Sequence, residues 1–153
     1  LIDEIDRADE EFEAYLLELL SAYQISIPEL GTIKATHKPI VILTSNRTRE
    51  LSDALKRRCL YHWIDFPSLE KEKKIIAKRL PDIEESLLNQ VVSYVQKFRS
   101  KSLSKLPGVS ESIDWAESLM ALGYKEVNAK AFRETLGVLL KSKDDIKLIK
   151  EEV

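Results

Sequence analysis

The sequence predicts a two-part fold, with an α/β lobe over residues 1–67 and an all-helical lobe over residues 68–153. Two observations predict the first lobe: a continuous β-branched run at 40–44 (IVILT) and an alternating segment at 23–35 (YQISIPELGTIKA). A third observation predicts the second lobe, because strand signals stop at Pro67 and helical periodicity fills the rest of the chain.

The first lobe contains four predicted elements besides the β-branched run, which reads as a strand buried on both faces. Apolar residues recur at helical spacing through residues 8–22. Turn residues at 28–31 (PELG) predict a β-hairpin within the alternating segment. A short helix is expected from about 49 to 57, capped by Thr48. The β-rich run at 61–67 (YHWIDFP) predicts a further strand.

The second lobe is predicted to contain helices and loops only. Asp82 and Glu85 outline a capping box, and Ser, Lys, Pro and Gly residues make 99–110 a loop. Trp115 and Leu119 lie on an apolar helix face and are expected in the core. The predicted helices cover residues 68–80, 83–98, 110–122, 129–141 and 144–152.

Composition limits the function classes. The 153 residues are 44% hydrophobic and 33% charged, with a formal net charge of −2, so no bulk electrostatic signal for nucleic acid or an anionic membrane is present. No run approaches the roughly 20 apolar residues of a membrane span. The single cysteine, Cys59, excludes an internal disulfide and favours a reducing, cytoplasmic location.

Two adjacent acids, Asp3 and Glu4, follow only two apolar residues at the start of the chain. An Asp at the carboxyl end of a strand can hold Mg²⁺, mostly through water, and an adjacent Glu can polarise an attacking water. Taken alone, the same pair would more commonly interact with the positive end of the helix that follows.

Asn46 ends the β-branched run, so in a parallel sheet it would emerge at the same edge as the two acids. A neutral amide there can hold a water beside a phosphate without adding charge, although Ser45, Asn46 and Thr48 could equally cap the next helix. Arg57 and Arg58 end that helix. They either complement the helix dipole or present a guanidinium to a neighbouring subunit's nucleotide.

The order of these features resembles the second half of an AAA+ ATPase module. LIDEID looks like a Walker B segment, TSN like a sensor 1 strand and KRR like the arginine-finger region, with the hairpin between the first two. DEIDRA followed by a hairpin is similar to the MoxR family. TSNRTRELSDALKRRCLYHWIDFP and PGVSESIDWAESL are most similar to its CoxD-like branch. The resemblance covers residues 1 to about 140.

The resemblance implies a role for each candidate residue. Asp3 would hold Mg²⁺ through water, Glu4 would be the catalytic base, and Asn46 would be sensor 1. Arg58 would be the arginine finger, with Arg57 as the alternate. The stretch that often carries a sensor 2 arginine reads GVSESIDW here and contains no basic residue. Trp63 is interpreted as a packing residue.

A module of this family also needs a strand followed by G-x-x-x-x-G-K-[ST], and the sequence contains no such motif. The chain therefore looks like the C-terminal portion of a longer protein, LIDE being the cut end of a buried strand. We expect these residues alone neither to bind ATP tightly nor to hydrolyse it. We also expect the run at 40–44 to expose an unpaired apolar edge, compensated by oligomerisation, strand exchange or rearrangement of the lobe.

The resemblance implies partners as well. The parent would self-associate, as a hexameric ring in this family, and use Mg²⁺ and ATP to remodel a client protein, such as a metalloenzyme or a von Willebrand A-type partner. One alternative is a standalone helical interaction module without nucleotide chemistry. Another is an AAA+ ATPase that acts on nucleic acid, which the hairpin disfavours because Lys34 is the only basic residue near its tip.

Overall fold

The computed structural model describes residues 1–151, with side chains through Lys150. The chain forms two compact units, which divide between Trp63 and Ile64. The fold is mostly helical and, in the described residues, its regular sheet is one antiparallel pair of strands. The predicted helical second part is thus observed, whereas the partial parallel sheet predicted for the first part is not. No helix in the described part of the chain has the length and apolar character of a membrane span.

The first unit contains a helix followed by the predicted hairpin. Helix α1 (Glu10–Ala22) begins where the Asp9 carboxylate accepts the Phe12 N–H at 2.8 Å. Strands β1 (Gln24–Ile27) and β2 (Gly31–Lys34) pair antiparallel.

One carboxylate on α1 holds the hairpin in place. Glu18 accepts hydrogen bonds from the Ser26 N–H at 2.9 Å, the Ser26 hydroxyl at 2.8 Å and the Gln24 amide at 2.9 Å. Hydrogen bonds from Gln24 and Ser26 lower the pKa of Glu18, because they stabilise the charged form. The hairpin is therefore tied to the helix as well as to itself.

The strand predicted at 40–44 is reduced to one isolated parallel bridge between Leu43 and Ile2. Ile40 is 92% exposed and Ile42 57% exposed. A buried strand needs partners on both sides, and in the described residues only the two-residue apolar start of the chain pairs with this run. The exposed apolar edge expected from the sequence is therefore present.

The region after this bridge also differs from the prediction. Helix α2 spans only Asp53–Lys56 and is capped by Ser52, not by Thr48. Thr48 lies five residues before the first residue of α2, and its N–H and hydroxyl both donate to the Asp6 carboxylate. The run at 61–67 forms no strand in the structure, and Trp63 is half exposed, not packed as predicted.

The second unit contains five helices in the described residues, each close to its predicted position. The predicted capping box is wrong, because α4 starts after Glu84 without a side-chain cap. The loop predicted at 99–110 is shorter, since α4 continues to its last residue, Arg99, and α5 begins at Val109. Position 152, included in the last predicted helix, lies outside the described residues. The helices are α3 (Leu69–Arg79), α4 (Glu85–Arg99), α5 (Val109–Ala121), α6 (Ala129–Leu139) and α7 (Lys143–Glu151).

An aromatic cluster fills the core of the second unit. Trp115 and Leu119 are fully buried, as predicted. The Trp115 ring meets Phe132 edge-on with ring centroids 6.5 Å apart, and Tyr94 edge-on at 6.2 Å. Its indole N–H donates to the Thr135 hydroxyl at 2.7 Å. The largest side chain of this core is thus both packed and hydrogen-bonded.

A buried ion pair joins α3 to the end of α4. Glu72 is fully buried and accepts two hydrogen bonds from the Arg99 guanidinium, at 2.7 and 2.8 Å. It also accepts the Gln96 amide at 2.8 Å and the Ser112 hydroxyl at 2.9 Å. Arg99 donates its Nε–H to the Pro107 carbonyl at 2.8 Å and lies over the Phe66 ring. Every oxygen of the buried carboxylate therefore has a donor.

Candidate functional site

The chain start and the end of the 40–44 run lie side by side. The Ile2 N–H donates to the Ile42 carbonyl at 2.9 Å, the Thr44 N–H donates to the Ile2 carbonyl at 3.0 Å, and the Ile5 N–H donates to the Thr44 carbonyl at 2.9 Å. The bridge is parallel, so both segments end at the same edge. This is the arrangement that brings the two acids close to Asn46.

Glu4 and Asn46 are in direct contact. The Asn46 side-chain amide donates to Glu4 Oε1 at 2.8 Å, and the Arg7 Nε lies 3.0 Å from Glu4 Oε2. Glu4 adopts a left-handed backbone conformation, with φ 52° and ψ 47°. Non-glycine residues rarely adopt this conformation without support from their surroundings. Here the Thr44 hydroxyl supports it by accepting the Glu4 N–H at 3.1 Å.

Asp3 is exposed next to this pair, and its carboxylate accepts a hydrogen bond from the Thr44 hydroxyl. No group of three or more His, Cys, Asp or Glu side chains in the described residues could hold a metal by itself. A nucleotide-bound Mg²⁺ does not require such a group, because phosphates and waters supply most of its ligands. One exposed carboxylate beside a hydroxyl oxygen therefore fits that ion, and Asp3 and Thr44 are the residues that would hold it.

Asp6 is the structural residue of the site that sequence reasoning missed. It is buried and accepts three hydrogen bonds from the chain around Asn46: the Asn46 N–H at 3.0 Å, the Thr48 N–H at 2.8 Å and the Thr48 hydroxyl at 2.6 Å. These bonds, above all that from the Thr48 hydroxyl, hold the pKa of Asp6 well below its usual range. The acidic residues at the start of the sequence indicated that a carboxylate there could accept hydrogen bonds. The partners of Asp6, however, lie some forty residues further along the chain.

The low pKa of Asp6 predicts acid sensitivity of this loop. The folded pKa is depressed, so the contribution of Asp6 to stability is complete above its unfolded pKa of about 4 and is lost as the pH falls toward the folded value. Amide hydrogen exchange at Asn46 and Thr48, whose N–H groups Asp6 binds, should therefore speed up relative to other amides as the pH falls below about 4.

A substitution of Asp6 tests whether its carboxylate protects these two amides. Asp6→Asn should show fast exchange at Asn46 and Thr48 already at pH 7, with little further change on acidification. The exposed Asp53→Asn is the matched control and should behave as wild type. Equal protection of both amides in wild type and Asp6→Asn would contradict the proposed role of the carboxylate.

The two candidate finger arginines do not join this cluster. Arg57 follows α2 directly, and the Arg58 guanidinium donates to the Ala54 carbonyl of the same helix at 2.9 Å. Both are exposed, and no ion pair or hydrogen bond links either to the acids or to Asn46 within the described residues. The structure thus brings together Asp3, Glu4 and Asn46 and leaves Arg57 and Arg58 on the surface.

The stretch GVSESIDW, at the start of α5, has a structural role in the second unit. The Glu111 carboxylate accepts the Gly108 N–H at 3.1 Å and so stabilises the start of α5. Ser112 is fully buried and donates to Glu72. Neither residue is a cation, so this stretch offers no guanidinium for a phosphate. No protein-family model matches this chain, and no curated protein matches it in sequence.

Proposed function

We propose that these residues carry the water-activating part of a Mg²⁺-dependent ATP hydrolysis site, in an AAA+ ATPase of the MoxR family and its CoxD-like branch. The single observation that carries the proposal is the 2.8 Å hydrogen bond between the Asn46 amide and the Glu4 carboxylate. It supports the proposal because a carboxylate and a neutral amide lie together at the edge where Asp3 also lies.

The chemistry expected of these side chains follows from their types. Glu4 would accept a proton from the attacking water, since a carboxylate within hydrogen-bond reach of a water is a competent general base. Asn46 would orient that water without adding charge beside an anionic phosphate. The hydrogen bond from the Asn46 amide would hold the Glu4 carboxylate in one orientation. Asp3 and the Thr44 hydroxyl would hold Mg²⁺, whose charge would offset that of the phosphates.

The sequence has no G-x-x-x-x-G-K-[ST] motif, so a phosphate-binding loop would come from residues outside this chain segment. Arg58, or Arg57 as alternate, would act on the nucleotide of a neighbouring subunit, and both side chains are exposed as such a role requires. The assembled protein, a hexameric ring in this family, would remodel a client protein in the cytoplasm, with metalloenzyme maturation as the process.

In the protein that also contains the phosphate-binding loop, Glu4→Gln should retain ATP binding and lose turnover. Loss of a general base costs about 10²–10⁴-fold in rate, whereas an isosteric amide leaves the shape of the site unchanged. Steady-state phosphate release and nucleotide titration measure the two quantities separately. Glu11→Gln, an exposed acid on α1, is the matched control and should hydrolyse normally.

Arg58→Ala should lose turnover only where subunits are assembled, because the guanidinium serves its neighbour. Normal hydrolysis in both Glu4→Gln and Arg58→Ala would contradict the site assignment. That outcome would favour the helical interaction module instead, since the second unit has a hydrophobic core of its own. The reading frame upstream of Leu1 is a second test, because a strand followed by G-x-x-x-x-G-K-[ST] is expected there.

A further inference from the structure

A pocket of about 730 Å³ lies in the first unit, between the loop at 45–51 and residues 56–63. Its volume is within the range of about 300–1,000 Å³ that is usual for small-molecule sites. One wall is aromatic, formed by Tyr61 and Trp63, and another is basic, formed by Arg47 and Lys56. None of these four side chains has a part in the proposed hydrolytic chemistry.

The aromatic wall is exposed, although large aromatic side chains are usually packed. Trp63 is 53% and Tyr61 49% exposed, and their ring centroids lie 5.3 Å apart at an angle of 58°. Two neighbouring aromatic rings that remain half exposed beside polar groups are typical of a binding surface. The rings thus offer a face and edges to a planar ligand.

Arg47 connects the aromatic wall to the basic wall. Its guanidinium carbon lies 4.4 Å from the centroid of the Trp63 ring, a cation–π contact. In the described residues its charge is not paired with a carboxylate. A guanidinium that lies over a ring retains its N–H donors, and these donors match two oxygens of a phosphate or carboxylate. The Arg47 backbone is left-handed, with φ 59°.

The charges around the pocket favour an anion. Lys56 is only loosely paired, with its Nζ 3.8 Å from Asp53 Oδ1. Arg49 also lines the pocket, but Glu13 neutralises its guanidinium. The lining residues thus carry three cations and one carboxylate, Glu50. Of the three cations, Arg47 has no carboxylate partner in the described residues.

We propose that this pocket binds a nucleoside monophosphate. Arg47 and Lys56 hold the phosphate, and Tyr61 and Trp63 hold the base through ring contacts. The pocket adjoins the proposed hydrolytic site, because Asn46 also lines it, but the proposed ligand contacts use neither Glu4 nor Mg²⁺. A ligand without the phosphate contacts only the aromatic wall, and a ligand without the base contacts only the basic wall.

The chain contains two tryptophans, and their exposure makes fluorescence a specific probe. Trp115 is fully buried in the other unit, so quenching by a ligand reports on Trp63. AMP titrated without Mg²⁺ should quench the fluorescence to saturation. Adenosine and inorganic phosphate, which each contact one wall, should bind at least about tenfold more weakly.

Variants identify the wall that holds the phosphate. Arg47→Gln should weaken AMP binding at least about tenfold, the effect of losing one charge-assisted hydrogen bond. The exposed Arg133→Gln is the matched control and should bind AMP as wild type does. The titration contains no Mg²⁺ and involves no hydrolysis, so a failure of the hydrolysis proposal leaves this measurement unaffected.

Three results would overturn the proposal. The first is absence of saturable AMP binding up to about 10 mM, a concentration beyond which site-specific binding has little meaning. The second is equal AMP affinity in wild type and Arg47→Gln. The third is binding of inorganic phosphate as tight as that of AMP, which would mean that the aromatic wall contributes nothing.

Discussion

Arg99→Met is expected to lower the free energy of unfolding of the second unit by about 3–5 kcal/mol. The substitution keeps the aliphatic volume of the side chain and removes its charge. Glu72 is then left fully buried without its counter-ion, with only the Gln96 amide and the Ser112 hydroxyl as remaining donors. Because an unpaired buried carboxylate is costly, the effect should far exceed the loss of an exposed ion pair. Urea denaturation followed by far-UV circular dichroism measures it.

A double variant separates the charge from the packing. Arg99→Met combined with Glu72→Met removes both charges and should recover most of the lost stability, because replacing a buried ion pair by apolar groups is often neutral. Arg79→Met, at an exposed end of α3, is the matched single control and should change stability by less than about 0.5 kcal/mol. If the double variant were no more stable than Arg99→Met, the unpaired charge would not be the cause.

Trp115→Ala is the second large effect expected, with a loss of about 3–5 kcal/mol. The substitution opens a cavity among α4, α5 and α6 and removes the ring contacts to Phe132 and Tyr94. It also deprives the buried Thr135 hydroxyl of its indole donor. Thermal unfolding of the helical signal measures the change.

The chain supplies its own control for this prediction. Trp63→Ala is the same substitution at a half-exposed ring in the first unit, and it should leave the melting of the helical unit unchanged. Trp115→Phe, which retains most of the apolar volume, should lose much less stability than Trp115→Ala. A Trp115→Ala protein that melts like wild type would mean that the surrounding helices collapse into the cavity without cost.

The helices were predictable because their signals are local. Apolar spacing marks the buried face of each helix, and residues such as Ser68 cap the start within one turn. The strands predicted outside the hairpin did not form, because their signals are not local. The runs at 40–44 and 61–67 have strand composition, but a strand forms only where another segment pairs with it, and the described residues supply one bridging residue for the first run and none for the second.

Only those contacts of the candidate site that follow from the direction of the two paired segments could be predicted from the sequence. Parallel segments end at one edge, which was enough to place Asn46 beside Glu4. The partners of Asp6 could not be predicted, because an acid that accepts a hydroxyl and two amides looks in sequence like any other acid near a helix. The same is true of Glu72, which reads as a residue of a solvated, lysine-rich face and is in fact fully buried.

Asp6 has a counterpart in the second unit. Asp145, near the start of α7, accepts the Ser104 N–H at 2.9 Å, the Ser104 hydroxyl at 2.6 Å and the Lys105 N–H at 3.3 Å. Each carboxylate closes a loop of about forty residues without a covalent bond. Loop closure of this length costs conformational entropy that local helix formation does not. The two aspartates therefore act as non-covalent crosslinks between distant parts of the chain, and protonation is the chemical event that opens them.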